Sequence, residues 1–138
     1  MNNKMSIKFT ASENNLGFAR SVIGAFCVTS NPTIDVISDV KTAVSEAVTN
    51  AIIHGYKGKD GEVIIDAEIK DHILYLSIKD SGMGIENVEM ALKDFYTSKS
   101  DQERSGLGFT IMQSFMDSLK VDSIPASGTT VLMKKQLA

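Results

Sequence analysis

Residues 62–80 of the chain read EVIIDAEIKDHILYLSIKD, and this stretch decides the fold. Two β-prone runs, Glu62–Lys70 and Ile73–Asp80, are separated only by Asp71 and His72. A two-residue connection is the length of the tightest β-hairpins, so the stretch is predicted to form one. The centre of the chain is therefore expected to be antiparallel β-structure.

Two helical patterns precede this hairpin. Apolar residues recur at helical spacing from Glu13 to Thr29, and Asn31-Pro32 ends the pattern. Thr33 then offers an N-cap for a second, longer helix that is predicted to reach His54. Gly55 is the candidate C-cap, because glycine tolerates the left-handed backbone found at many helix ends.

The rest of the chain is predicted to supply shorter elements. We expect an N-terminal strand, a short helix, an irregular polar stretch, a third helix and two more strands. Their predicted bounds, in that order, are 6–10, 85–92, 93–105, 108–119, 120–123 and 129–135. Helices beside such a sheet predict the α/β class, as a two-layer α/β sandwich with a mixed, mostly antiparallel sheet covered by helices.

The composition limits the function. A chain of 138 residues, 43% of them hydrophobic, can bury one core, so residues 1–138 are expected to form a single domain. The net charge of −3 argues against direct nucleic-acid binding. The single cysteine, Cys27, excludes an internal disulfide framework. Because no apolar run suits a signal peptide or a membrane span, we expect a cytoplasmic protein.

The first candidate site lies on the second predicted helix. Glu46 and Asn50 are four positions apart, so their side chains project together, away from an apolar stripe. A carboxylate can take a proton from a hydroxyl, and an amide oxygen is a suitable ligand for Mg²⁺ that also binds phosphates. A solvated helix face has the same pattern, so the pair alone leaves both interpretations open.

The second candidate is Asp80-Ser81-Gly82-Met83-Gly84, directly after an apolar strand. Two glycines one residue apart let a flat ligand approach the backbone closely. The Asp80 carboxylate can accept a hydrogen bond from the exocyclic amine of adenine, whereas guanine presents a carbonyl at that position. An ordinary turn is the competing interpretation, because Asp and Gly dominate turns.

The third candidate is Arg104-Ser105-Gly106-Leu107-Gly108-Phe109, at the start of the third predicted helix. Glycines before a helix expose backbone N–H groups that can bind phosphate, and Lys99 and Arg104 add positive charge. A simple loop-to-helix junction with solvated charges is the competing interpretation. The chain has no P-loop, dinucleotide-binding or ordinary protein-kinase signature, so those mechanisms are not supported.

Taken together, the three segments resemble the conserved boxes of the GHKL ATPase and kinase family. Residues 45–50 look like its N box, 80–84 match its D-x-G-x-G box, and 105–108 match its second glycine box. Residues 128–130 resemble its terminal glycine-threonine element. Within the family, SEAVTNAIIHGY at 45–56 and ERSGLGF at 103–109 are similar to the anti-sigma factor serine kinases.

This resemblance implies a protein that binds ATP or ADP with Mg²⁺ and holds a sporulation sigma factor inactive. It also implies a homodimer that phosphorylates a serine on an anti-anti-sigma factor. By position, Glu46 would activate the serine hydroxyl, Asn50 would coordinate Mg²⁺, and Asp80 would read adenine. The residues expected to shape the pocket or hold the phosphates are Gly82, Gly84, Lys99, Arg104, Ser105, Gly106, Leu107, Gly108 and Thr130.

The first predicted helix carries a candidate partner surface. Gly17, Ser21 and Gly24 place small residues on one face, with Arg20 beside them. Arginine is enriched at protein interfaces, so Arg20 is a candidate contact for a partner. Close helix packing also explains the small residues, so both interpretations stay open.

Two other functions compete with the kinase. One is a nucleotide-gated binding module without significant phosphotransfer, in which ATP orders the partner surface. The other is an isolated histidine-kinase catalytic domain, which we disfavour because no histidine-bearing dimerisation helix precedes the domain in this sequence. Phosphate on an added partner protein would distinguish the kinase from the module.

Overall fold

The computed structural model describes residues 2–93 and 108–138, and its strands form one sheet. The strands are β1 (Asn3–Thr10), β2 (Glu62–Lys70), β3 (Ile73–Asp80), β4 (Ser118–Ile124) and β5 (Gly128–Gln136). They lie in the order β1-β2-β3-β5-β4, and each neighbouring pair is antiparallel. The predicted α/β sandwich is confirmed, and the described strands contain no parallel pair that would make the sheet mixed.

The central hairpin forms as predicted. β2 and β3 pair up to Val63↔Asp80, and Asp71 and His72 make the turn. Both turn residues have positive φ, 50° and 64°, which is the backbone of the type I′ turns that join tightly paired strands. Because Asp80 is the last residue of β3, the register of this hairpin sets the position of its carboxylate at the end of the sheet.

The helices begin with a 3₁₀ turn (Glu13–Asn15) that leads into α1 (Leu16–Val28). The described ranges also contain α2 (Ile34–Asn50), α3 (Val88–Lys93) and α4 (Phe109–Phe115). Thr33 caps α2 as predicted, because its Oγ1 accepts the N–H of Val36 at 3.3 Å. The predicted helices are therefore present, although their ends differ from the sequence patterns.

The predicted C-cap at Gly55 is wrong. α2 continues without a break into a π-helical turn, Ala51–Gly55, and the chain turns at Tyr56. The Tyr56 N–H donates to the Ala51 carbonyl at 2.9 Å, and Gly55 does not have the left-handed backbone that a glycine cap needs. The wider π turn therefore moves the left-handed backbone that ends the helix to Lys57 and Gly58, with φ of 53° and 77°, and the Gly58 N–H donates to the Ile52 carbonyl at 3.1 Å.

Two helices are shorter than their sequence patterns. α3 begins at Val88, after the predicted start at Ile85, because Asn87 caps it: the Asn87 Oδ1 accepts the N–H of Met90 at 3.0 Å. α4 ends at Phe115, before the predicted residue 119, because β4 has already begun at residue 118 and pairs with β5. A local side-chain cap therefore sets the start of α3, and strand pairing sets the end of α4.

The core lies between the sheet and the helices. Alternate residues of β2 point into it and are buried: Val63, Ile65, Ala67 and Ile69. The predicted apolar stripe of α2 is buried in the same cluster: Val44, Ala47, Val48 and Ala51. Cys27 is buried too, and burial raises the pKa of its thiol to about 12. With this face of α2 in the core, Glu46 and Asn50 lie on its partly exposed side.

Candidate functional site

A pocket lies where the end of α2, the end of β3 and the start of α4 meet. Its lining combines apolar side chains with a few polar groups: Ala47, Asn50, His54, Gly55, Ile78, Asp80, Gly84, Ile85, Phe109, Thr129 and Val131. Asn50 and Asp80 come from two separate predicted motifs and line the same cavity. The third motif reaches the cavity through Phe109, the residue after Gly108.

Asp80 is a buried polar group of this pocket, with 7% of its surface exposed. Its Oδ1 accepts the N–H of Gly82 at 2.9 Å. Burial raises the pKa of the Asp80 carboxyl, while the backbone N–H donors of Gly82 and Thr129 act in the opposite direction. A carboxylate held in this way in an apolar cavity can accept a further hydrogen bond from a ligand N–H.

The loop after Asp80 is held from two sides. The Met83 N–H donates to the Gly55 carbonyl at 2.9 Å, and the Met83 carbonyl accepts the N–H of Ala126 at 2.7 Å. Gly82 passes so close to Gly55 that a Cβ on residue 82 would overlap the Gly55 carbonyl. The motif therefore needs glycine at this position because two backbone segments approach each other.

Glu46 lies beside the start of α4. Gly108, the N-cap of α4, has a φ of 65°, and a Cβ there would overlap the Glu46 carboxylate. Burial raises the pKa of Glu46, so its carboxylate is a stronger proton acceptor than a fully exposed one. The first and third predicted motifs thus come into contact at Glu46 and Gly108.

His54 is a pocket residue that the sequence analysis missed. It lies four positions after Asn50, which lies four positions after Glu46, so the helical spacing was the available signal. Burial lowers the pKa of His54, and the nearby positive charge of Lys57 lowers it further. The imidazole is therefore mostly neutral at neutral pH, with one nitrogen that donates and one that accepts a hydrogen bond.

Thr129 lines the described pocket, and Thr130, which is predicted to lie near the nucleotide, is the next residue of β5. Thr129 pairs with Asp80 across β3 and β5, and cross-strand partners share a face of the sheet. Thr130 pairs with Lys79 and so belongs to the opposite face. The sequence did indicate this orientation, because Thr129 is two positions before the apolar Val131 and residues two apart on a strand lie on the same face.

Some predicted site residues do not belong to the described pocket. Those that lie outside the described residues are Lys99, Arg104, Ser105, Gly106 and Leu107, and their assignments stay predictions. Arg20 lies on α1, where its guanidinium donates to the Lys41 carbonyl of α2 at 3.2 Å. Nearby, a Cβ on Gly24 would lie 3.3 Å from the Lys41 side chain, whereas Gly17 faces open space. The small-residue face therefore serves helix packing at one end and is open at the other.

The donors available to a metal ion are few in the part of the chain that the structure describes. Residues 2–93 and 108–138 contain no cluster of three His, Cys, Asp or Glu side chains able to hold one. A cation at Asn50 would therefore take most of its ligands from bound phosphates and water, an arrangement that suits Mg²⁺. Over the same ranges, no helix combines the length and apolar character needed to cross a membrane.

Two solved structures share this fold. The RsbU and RsbW domains of a Mycobacterium tuberculosis protein match with a TM-score of 0.70 and 19% identity, over 98% of this chain and 32% of that one. The nucleotide-free catalytic domain of the histidine kinase ThkA matches with a TM-score of 0.59 and 16% identity, over 96% of each chain. At these identities the likeness establishes the fold alone.

Sequence comparison establishes the family. A model of the histidine kinase-like ATPase domain matches residues 9–135. An anti-sigma F factor of Clostridium acetobutylicum is 52% identical over 100% of this chain and 96% of its own length. An anti-sigma F factor of Bacillus licheniformis is 50% identical over 100% of this chain and 95% of its own length. The chain therefore belongs to the histidine kinase-like ATPase family and, within it, to the anti-sigma F factors.

Proposed function

We propose that the pocket binds ATP with its adenine at Asp80 and its phosphates toward Gly108 and Glu46. The observation that carries this proposal is that Asn50 and Asp80 line one cavity. Phe109, the residue directly after Gly108, lines the same cavity. The buried Asp80 carboxylate accepts hydrogen bonds, so it suits the exocyclic amine of adenine better than the carbonyl of guanine.

In the proposed reaction, the γ-phosphoryl group of ATP moves to a serine of a partner protein. Glu46 takes the proton of the serine hydroxyl while the serine oxygen bonds to the γ-phosphorus and the bond to ADP breaks. The burial of Glu46 supports this role, because a carboxylate with a raised pKa is a better proton acceptor. Positioning and charge stabilisation supply the rest of the catalysis in phosphoryl transfer.

Asn50 is proposed to hold Mg²⁺ together with the phosphates. Its side chain lines the pocket one helical turn after Glu46, and its amide oxygen is the kind of donor that Mg²⁺ prefers. When bound, the ion would neutralise charge on the phosphate oxygens. Further phosphate contacts are proposed, on the family resemblance, for Lys99, Arg104, Ser105, Gly106 and Leu107.

The proposed partners follow from the anti-sigma F relatives, which match this chain over nearly their full length. We propose that the chain holds a sporulation sigma factor, sigma F, inactive. The serine substrate is proposed to belong to an anti-anti-sigma factor. Arg20 is proposed as a contact for a partner, since it lies on a face of α1 that is open around Gly17. A homodimer is proposed on the family resemblance.

Transfer of labelled γ-phosphate tests the reaction. The protein is incubated with γ-labelled ATP, Mg²⁺ and a candidate anti-anti-sigma factor, and the labelled residue is mapped by mass spectrometry. Glu46→Gln keeps the size of the side chain and removes the proton acceptor. We expect it to slow transfer about 10²- to 10⁴-fold, the usual contribution of a general base, with ATP affinity within about threefold of wild type.

A matched control makes the same chemical change at an exposed site. Glu13→Gln, just before α1, is expected to transfer phosphate at the wild-type rate. Unchanged transfer by Glu46→Gln would remove Glu46 from the role of base. ATP binding by the wild type without label on the partner would instead favour the nucleotide-gated module.

A further inference from the structure

The hydroxyl of Tyr56 occupies a position beside the pocket that the proposed reaction does not use. It accepts the N–H of Ser81 at 2.7 Å and donates to the Glu62 carbonyl at 2.6 Å. A phenol can donate one hydrogen bond, and the Tyr56 hydroxyl donates it to a backbone carbonyl while its oxygen accepts a hydrogen bond from a backbone N–H. Tyr56 therefore connects the residue that follows Asp80 to the first residue of β2.

This hydroxyl takes the place of the next rung of the β2–β3 ladder. The last strand pair is Val63↔Asp80, and one more step in the same register would set Glu62 opposite Ser81. The Ser81 N–H and the Glu62 carbonyl are instead bridged through the phenol oxygen by two hydrogen bonds in series. Two bonds in series span more than the roughly 2.9 Å of a single ladder bond, so the strands separate here.

The surroundings of Tyr56 hold its ring in this place. Its N–H closes the π turn on the Ala51 carbonyl at 2.9 Å, and its own carbonyl accepts the N–H of Lys59 at 2.9 Å. The ring packs on Gly61 so closely that a Cβ there would overlap ring atoms. The backbone on both sides of the ring therefore limits where the hydroxyl can lie.

Gly55 and Tyr56 together hold the loop on both sides of Gly82. The Gly55 carbonyl accepts the Met83 N–H, and the Tyr56 hydroxyl accepts the Ser81 N–H. We propose that Tyr56 is a positioning residue for base recognition, whose hydroxyl ends the β2–β3 ladder at Asp80 and thereby orients the Asp80 carboxylate toward the base of a purine nucleotide. This inference rests on the proposed function, which assigns the pocket to ATP.

A change in the orientation of Asp80 is expected to weaken base selection more than phosphate binding. The carboxylate distinguishes the amine of adenine from the carbonyl of guanine, so its displacement lowers the preference for ATP over GTP. The proposed phosphate contacts come from α2 and from residues 99–108, whereas the Tyr56 hydroxyl bonds to Ser81 and Glu62. The ratio of ATP to GTP affinity is therefore a readout that general destabilisation would leave unchanged.

Tyr56→Phe removes the hydroxyl and keeps the ring. We expect the Kd for ATP to rise about three- to tenfold, the range for loss of one hydrogen-bonding group, while the Kd values for GTP and tripolyphosphate change less than about twofold. Without nucleotide, the Ser81 amide should exchange its hydrogen about fivefold faster, measured by NMR. Gly61→Ala displaces the ring without removing the hydroxyl and is expected to produce the same selective loss.

Tyr75→Phe provides the matched control. It makes the same change on β3, at a position of opposite strand parity to Asp80, and should match wild type in every measurement. An unchanged Ser81 exchange rate in Tyr56→Phe overturns the inference. Equal losses of affinity for ATP, GTP and tripolyphosphate overturn it too, since that is the pattern of simple destabilisation. A wild type that does not prefer ATP over GTP contradicts the proposed function. Faster exchange of the Ser81 amide in Tyr56→Phe would, even then, support the role of the hydroxyl in ending β3.

Discussion

The two ends of the pocket are built differently. At the end proposed for the base, which surrounds Asp80, backbone N–H groups of residues 81–85 donate hydrogen bonds to Gly55, Tyr56 and Ser123 and so hold this segment in place. At the end proposed for the phosphates, Gly108 packs closely against Glu46, and as the N-cap of α4 it has no side chain with which to cap the helix. Among the described residues, hydrogen bonds from backbone N–H groups hold the first end, and the close approach of Gly108 to Glu46 shapes the second.

This difference indicates which end controls which step. A loop that is already held by hydrogen bonds loses little conformational entropy when a ligand binds, so the base end is expected to decide which nucleotide binds. At the phosphate end, the Glu46 carboxylate lies against Gly108, whose φ of 65° favours glycine. Substitutions there are therefore expected to act mainly on phosphate transfer. Substitutions at the two ends should therefore have separable effects.

The largest effect is expected for Gly82→Ala at the base end. The new Cβ would overlap the Gly55 carbonyl and force two backbone segments apart. We expect the free energy of unfolding to fall by about 2–3 kcal/mol in urea titrations, and ATP affinity to fall about 30- to 100-fold in calorimetry. Gly17→Ala is the control, because residue 17 faces open space on α1 and should leave ATP binding unchanged. Wild-type affinity in Gly82→Ala would show that the base end is not held as described.

A smaller effect, confined to the phosphate end, is expected for Gly108→Ala. Its φ of 65° disfavours a side chain by about 1–2 kcal/mol, and the Cβ would also displace Glu46. Gly58→Ala is the matched control, since its φ of 77° carries a similar backbone cost with nothing within 4 Å. We expect phosphate transfer to slow about tenfold or more only in Gly108→Ala, with the ATP-to-GTP ratio unchanged. Equal transfer rates in the two variants would mean that the contact with Glu46 has no role.

The smallest effect is a pH dependence of stability that comes from Asp80. Burial raises its pKa above the ordinary 3.8, so in the window just above 3.8 the folded protein keeps a proton that the unfolded chain releases. The free energy of unfolding therefore falls as pH rises through that window. Because asparagine does not ionise, Asp80→Asn should gain stability relative to wild type as pH rises above 3.8 in urea titrations, while losing its preference for ATP. A stability difference that narrows as pH rises would contradict this assignment.

Local patterns predicted most of what surrounds the site. The hairpin followed from two β-prone runs around Asp71-His72, and the start of α2 followed from Thr33. The pairing of Glu46 with Asn50 on one side of α2 followed from helical spacing. These features depend on residues that are near each other in the chain, which is why the sequence displays them.

The errors occur where distant segments compete with local patterns. The sequence predicts a cap at Gly55, but the π turn instead brings the Gly55 carbonyl to the N–H of Met83. It points to Thr130 near the nucleotide and does not single out Thr129, which pairing with β3 places in the pocket lining. His54 was missed although it continues the helical spacing, because its role depends on the pocket that forms beside it.

By itself, the sequence determined the order of the elements and the chemistry available to a nucleotide site. It supplied a carboxylate and an amide on one side of a helix, an aspartate at a strand end, and glycines where backbone has to pass closely. Only the tertiary structure decided that Glu46 meets Gly108 and that the Tyr56 hydroxyl bridges Ser81 and Glu62. The physical reason is that residue spacing sets geometry within one element, whereas contacts between elements depend on the register of the sheet and on how α2 packs against it.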